Sequence, residues 1–189
     1  MTAAAYRLCH VTLDGSFSSR NAHFARERPI AIYDLLEENT FIPVGHGGGP
    51  YRLRLALAEG RLALHIATEA GALVMSHYLS LAPFQRLLKD YILTYGSFYD
   101  AVAVASTARF EAIDMGRRAI HNEAAELLRQ RLAAKVTVDS DTARWLFTLI
   151  HVLLMRRPAV APSNNENQGA GRRHQLAPSR GLITREHSG

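Results

Sequence analysis

YRLRLALAEGRLALHIATEAGALVMSHYLSL, residues 51–81, decides the fold. It holds three segments of period-two hydrophobicity separated by AEG and EAG. In the first, Tyr51, Leu53, Leu55 and Leu57 point one way and Arg52 and Arg54 the other, as successive side chains of a strand must. In the second, Leu62, Leu64 and Ile66 alternate with Ala63, His65 and Ala67. Gly60 and Gly71 permit tight turns, and links this short force neighbouring strands to run antiparallel. The prediction is a three-stranded meander whose apolar face must be roofed by other elements.

The flanks supply candidates for the roof. Upstream, YRLCHVTLD, residues 6–14, alternates as a further strand, and DGSFSSRNAHF reads as a loop. Pro29 is placed at a first helical position, with Ile32, Leu35 and Leu36 on one stripe. Asn39 and Pro43 then favour termination, with TFI between them as a short strand. Downstream, Pro83 opens a helix in which Leu87, Leu88, Ile92 and Leu93 form the apolar side and Tyr91, Tyr95, Phe98 and Tyr99 extend it. Gly96 and Ser97 weaken that helix locally. A second long helix covers residues 107–134, with Phe110, Ile113, Ile120, Ala124, Leu127 and Leu128 inward. Asp139 or Ser140 caps a third, DTARWLFTLIHVLLM. Its apolar run from Trp145 to Met155 falls well short of the roughly 20 residues that span a bilayer. The fold class expected is α+β, a small antiparallel sheet with a three-stranded meander packed against long helices.

A chain of 189 residues, 48% hydrophobic and 21% charged, fits a single core. Residues 1–158 read as that domain. Residues 159–189 are polar and turn-rich, carry four arginines against two glutamates, and read as a disordered basic tail. Cys9 is the sole cysteine, so no intramolecular disulfide forms, and the N-terminus does not read as a signal peptide. A cytoplasmic location with no membrane attachment is the expectation. The net charge of +5 is spread out: lysine occurs only at Lys89 and Lys135, and no basic block is present.

Two stretches invite a functional reading. In PVGHGGGPY, residues 43–51, the amides of Gly45, His46, Gly47, Gly48 and Gly49 have the freedom to turn inward as an anion nest, with His46 as a proton donor, base or ligand. The stretch lacks the lysine and following helix of a phosphate-binding loop, and an HGGG oxyanion loop needs a GxSxG nucleophile turn that this chain lacks. The preferred reading is a flexible entry to the sheet.

The second stretch is EAIDMGRRAIHNEAAE, residues 111–126. Helical spacing gathers Asp114, Arg117, Arg118 and His121 toward one side, with Arg117 and His121 at the edge of the apolar stripe. Asp114 can orient His121 for general-base work while an arginine holds an anion. Asn122 and Glu123 can anchor a loop or substrate. Equally, Asp114 can bridge Arg117 or Arg118, His121 can bond the adjoining element, and Gly116 can allow a close helix crossing. Scaffold or partner docking is the reading preferred here. No HExxH is present, neighbouring ligands on a helix diverge, and no metal or cofactor is expected. Arg52, Arg54 and Arg61 can share one sheet face, with Tyr78, Tyr95 and Tyr99 as candidate stacking groups for nucleic acid.

IAIYDLLEEN, GGPYRLRL, LSLAPFQRLLKDY, EAIDMGRRAIHNEAAELL and VDSDTARWLFTLIHVLL together resemble the UPF0262 family of uncharacterised bacterial proteins. The likeness covers roughly residues 6–155 and rests above all on IDMGRR followed by HNE. It implies no catalytic assignment. The functional expectation is therefore a non-enzymatic protein-interaction or regulatory module, with a protein partner or self-association. The alternatives are a small enzyme using His121, Asp114 and Arg117, and a nucleic-acid-binding protein using arginine-rich surfaces.

Overall fold

The computed structural model describes residues 6–15, 22–104 and 107–155, with side chains described from 6 to 15, 26 to 94 and 107 to 155. The expected packing of Tyr95, Phe98 and Tyr99 and the expected disorder of residues 159–189 lie outside these. Strands β1 (Leu8–Leu13), β3 (Tyr51–Ala58), β4 (Arg61–Thr68) and β5 (Leu73–Ser80) make one sheet in that order. Strand β2 (Phe41–Pro43) pairs antiparallel with β6 (Val136–Val138) in a separate ribbon. Helices α1 (Ala22–Glu37), α2 (Gln85–Val104), α3 (Thr107–Leu132) and α4 (Ser140–Leu154) complete the α+β fold.

The meander β3–β4–β5 is antiparallel throughout, as its short links require. Glu59 (φ 51°) and Gly60 (φ 73°) both adopt left-handed backbone, the signature of the tight hairpin turn that matches strand twist. At the second turn, the Thr68 amide donates to the Ala72 carbonyl at 2.8 Å. Tyr51, Leu53 and Leu55 of β3 and Leu62, Leu64 and Ile66 of β4 are buried on the inner face. The sheet is mixed rather than purely antiparallel, because β1 joins β3 in parallel. A parallel neighbour needs a crossover, and α1 lies in the chain between the two.

That helix departs from expectation at its start. It begins at Ala22 and Pro29 lies inside it. Three residues of the expected loop, Ala22 to Phe24, are therefore helical. Proline removes one amide donor and crowds the preceding turn, a cost that surrounding packing overrides here. Ala31 and Leu35 are fully buried on its inner side. Its C-terminus is held by Asn39, whose side-chain amide donates to the carbonyls of Leu35 (2.8 Å) and Leu8 (3.2 Å) and whose oxygen accepts from the Leu8 amide (2.6 Å). One side chain both stops the helix and clips it to β1.

Helix α4 sits in the middle of the core, against α1, α3 and β3. The apolar run that stood out in the sequence is buried on nearly every side: Leu146, Phe147, Leu149, Ile150 and Leu153 are at most 2% exposed. Each such side chain contributes about 1.5–3 kcal/mol of transfer free energy. Asp139 caps its N-terminus, accepting from the Thr142 amide at 2.7 Å. Burial pushes the Asp139 carboxyl up, but bonds from Thr142 and Thr40 outweigh it and hold the group low. Pro83 lies in a short 3-10 turn, Ala82–Phe84, that leads directly into α2. Among the described residues no helix is long and apolar enough to cross a membrane.

Candidate functional site

In the glycine loop, His46 and Gly48 bond the protein itself. Gly45 turns the chain with φ 81°, and the His46 amide donates to the Pro43 carbonyl. His46 Nδ1 lies 3.1 Å from the Tyr51 hydroxyl, with the two rings edge to face. The Gly48 amide also bonds that hydroxyl. Burial raises the Tyr51 phenol, with the Gly48 bond opposing it. The Gly48 amide and the His46 ring are thus directed at Tyr51, a fully buried ring. The loop runs directly into β3 at Tyr51.

The α3 cluster divides into two groups with different tasks. Asp114 accepts from Arg117 at 3.0 Å and Arg118 at 2.8 Å, the i,i+3 and i,i+4 geometry that a helix surface brings together. These bonds, that of Arg117 first, hold the Asp114 carboxyl below its usual range. Asp114 is thus committed to the guanidinium groups. No close helix crossing occurs at Gly116, because a Cβ there would meet nothing within 4 Å.

His121, Asn122 and Glu123 are consecutive, so their side chains leave the helix about 100° apart. Each meets a different neighbour. His121 enters the junction of three helices, its ring 4.8 Å from Tyr91 of α2 and 6.1 Å from Phe147 of α4, centroid to centroid. Asn122 accepts from Arg144 of α4 at 2.5 Å. Glu123 pairs with Arg86 of α2. HNE is a three-way fastening of α3 to its neighbours.

Below it lies a histidine pair built around one phenol. His151 of α4, fully buried, packs edge-on to Tyr91 at 4.7 Å. The Tyr91 hydroxyl donates to Glu27 of α1 at 2.7 Å, and burial followed by the Glu27 charge raises the phenol strongly. Burial pushes His121 down to about 4, helped by the charges of Arg117 and Arg144. Burial also pushes His151 down to about 4, helped by His121. Both imidazoles are neutral at pH 7, and His121 Nε2 is buried with no hydrogen-bond partner.

Above this core is a pocket of about 500 Å³ between α3 and α4. Arg117, Arg118, His121 and Asn122 line it from α3, and Asp141, Arg144 and Trp145 from α4. Arg144 is held by Asp141 at 2.6 Å as well as by Asn122. Three guanidinium groups therefore surround one opening, with Asp114 bonded to Arg117 and Arg118 and Asp141 to Arg144. Directed N–H donors of this kind suit a carboxylate or phosphate. The α4 contributors were not singled out in the sequence. Arg144 is the one basic side chain besides His151 in Ser140–Leu154, and that isolation was the available signal. Among the described residues no three His, Cys, Asp or Glu side chains converge as a metal site requires.

The fold and pocket define a small α+β domain with an arginine-lined cleft between two helices. The family model described as Uncharacterised protein family (UPF0262) matches residues 5–156, and the chain belongs to that family. It is 50% identical over 156 residues to a UPF0262 protein of Rhizobium etli (strain CIAT 652), covering 82% of this chain and 99% of the relative. A UPF0262 protein of Rhizobium meliloti (strain 1021) is 51% identical over 150 residues, covering 79% and 95%. One from Agrobacterium fabrum (strain C58 / ATCC 33970) is 49% identical over 156 residues, covering 82% and 99%. No solved structure matches the chain.

Proposed function

We propose that this protein is a non-enzymatic interaction module that grips an acidic group of a protein partner in the α3–α4 pocket. The observation that carries the reading is the convergence of Arg117, Arg118 and Arg144, from two helices, on one opening of about 500 Å³. Arg118 is largely exposed and Arg144 partly so, leaving donors accessible to a ligand. Existing bonds to Asp114, Asp141 and Asn122 hold the guanidinium groups in place before a partner arrives, which lowers the entropic cost of binding.

Two features favour binding over turnover. A general base must reach the proton it removes, yet His121 Nε2 is buried against the helix junction. Its natural orienting carboxylate, Asp114, is engaged by two arginines instead. The test is calorimetric titration of the full chain with an acidic octapeptide and with a phosphorylated peptide, repeated on an Arg118→Ala/Arg144→Ala variant. The expected outcome is saturable, salt-sensitive binding of one peptide, weakened at least about tenfold in the variant, in line with the loss of charge-assisted hydrogen bonds. Equal binding by variant and wild type, or a saturable turnover abolished by His121→Gln, contradicts the reading.

A further inference from the structure

The outer face of the four-stranded sheet forms a second polar surface, on the side of the sheet away from the buried leucines. Strand register places its side chains in rows. His10, Arg52, Ala67 and Leu73 lie across the sheet in one row, and Thr12, Arg54, His65 and Ser76 in the next. Ala56, Ala63 and Tyr78 follow, and then Ala58, Arg61 and Ser80. The sheet thereby gathers three arginines, two histidines and one tyrosine on one face. A shallow cavity of about 510 Å³ lies over the first two rows.

We infer that this face is a docking platform for single-stranded RNA. The first argument is charge. Arg52, Arg54 and Arg61 are exposed on three of the four rows, a positive surface of the kind that tracks a nucleic-acid backbone. The carboxylates facing them are Asp14, 3.3 Å from Arg54, and Glu59, 3.8 Å from Arg61. Both pairs are solvent-exposed, so phosphate can replace the carboxylate without uncovering a buried charge.

The second argument is stacking. Tyr78 is 49% exposed and is held edge-to-face against His65 at 6.3 Å. Next to it the row carries Ala63 and Ala56, both buried, so the exposed ring of Tyr78 is the group that this row presents to a base. Leu73, 70% exposed, offers a second apolar contact at the start of the same strand.

The third argument selects RNA over DNA. Thr12 is exposed beside Arg54, and Ser76 bonds His65 Nδ1 at 2.8 Å in the same row. Hydroxyl and imidazole groups there meet the 2′-hydroxyl, the group by which a protein tells the two polymers apart. The platform accommodates on the order of four nucleotides, the lower end for a single-stranded binding surface.

The experiment is fluorescence anisotropy of a labelled 12-nucleotide RNA of mixed sequence against the full chain at 50 and 200 mM salt. The same titration is run with DNA of matching sequence. Saturable RNA binding that weakens with salt is expected, with each guanidinium contact contributing about 0.7 to the logarithmic salt slope. Arg52→Ala/Arg54→Ala should lower affinity at least about tenfold and flatten that slope. Tyr78→Ala should lower it at least about fivefold while Tyr78→Phe retains it, because stacking needs the ring and not the hydroxyl. Circular dichroism confirms that these surface variants stay folded. The pocket variant Arg118→Ala/Arg144→Ala should bind RNA as wild type, so this inference and the proposed function fail separately. Three outcomes overturn it: no saturable RNA binding at 50 mM salt, binding indifferent to the sheet variants, or DNA bound as tightly as RNA.

Discussion

The glycine loop and the α3 helix make a useful contrast. Both drew attention as sequence, one through composition and the other through spacing. In the folded protein the loop turns its polar atoms inward onto Tyr51, through His46 and the Gly48 amide. The α3 stretch instead sends neighbouring side chains in different directions, to α2, to α4 and to a shared opening. Backbone freedom lets a segment satisfy itself locally. A rigid helix pairs only side chains three or four residues apart, as Asp114 does with Arg117 and Arg118. Its other polar side chains find partners on other elements or stay available to a ligand.

The largest expected effect tests the helix side of that contrast. Tyr91→Ala removes the ring that packs against His121, Phe147 and His151, and should cost about 3–5 kcal/mol in urea unfolding. A cost below 1 kcal/mol would mean that the junction is not a packed core.

Acid comes next. Half-buried His121 and fully buried His151 have folded pKa values lowered to about 4 from an ordinary 6.5. A lowered histidine pKa means that the unfolded chain takes up protons first as pH falls. The stability from keeping these rings neutral is therefore complete above pH 6.5 and is lost on descent toward pH 4. At about 1.4 kcal/mol per pKa unit, His151 alone accounts for on the order of 3 kcal/mol. Unfolding measured at pH 7 and 4.5 should show the loss, and His151→Leu should flatten it. Equal stability at the two pH values contradicts a buried neutral pair.

Smaller effects sharpen the loop side. Gly45→Ala forces a side chain into left-handed backbone and should destabilise by about 1–2 kcal/mol. Tyr51→Phe removes the hydroxyl that His46 and Gly48 share, and should cost about 1 kcal/mol. Gly47→Ala meets open space in ordinary backbone and should stabilise slightly, by about 0.5 kcal/mol, through the unfolded chain. If Gly47→Ala proved as damaging as Gly45→Ala in thermal melts, the loop would need a tighter role than sheet entry.

Elements governed by local rules were legible beforehand. The meander shows itself in strict alternation with glycine turns, and α4 in an apolar run preceded by a capping aspartate. The Asp114 bridges follow from helical spacing alone. What escaped was set by distant partners. The start of α1 was misplaced because Pro29 is normally a beginning, and only tertiary packing makes it tolerable in a helix interior. Strand β6, three residues long, has no periodicity to display; it exists because Phe41–Pro43 lies beside it. The parallel pairing of β1 is likewise invisible in an alternation that fits either direction. Half of the pocket was missed for a related reason. Asp141, Arg144 and Trp145 acquire meaning only when α4 lies against α3.

The small ribbon of β2 and β6 has a consequence for how the protein is made. Residues 41–43 are stitched to residues 136–138, and next to them the Thr40 amide donates to the Thr142 hydroxyl at 3.0 Å. The early part of the polypeptide thus waits for its seam until nearly the whole domain has left the ribosome. Until then the greasy inner side of the sheet also lacks its central helix. A nascent chain halted before residue 140 should therefore be easily digested by protease and prone to clump, and release of the last fifteen or so residues of the domain should lock the whole body at once.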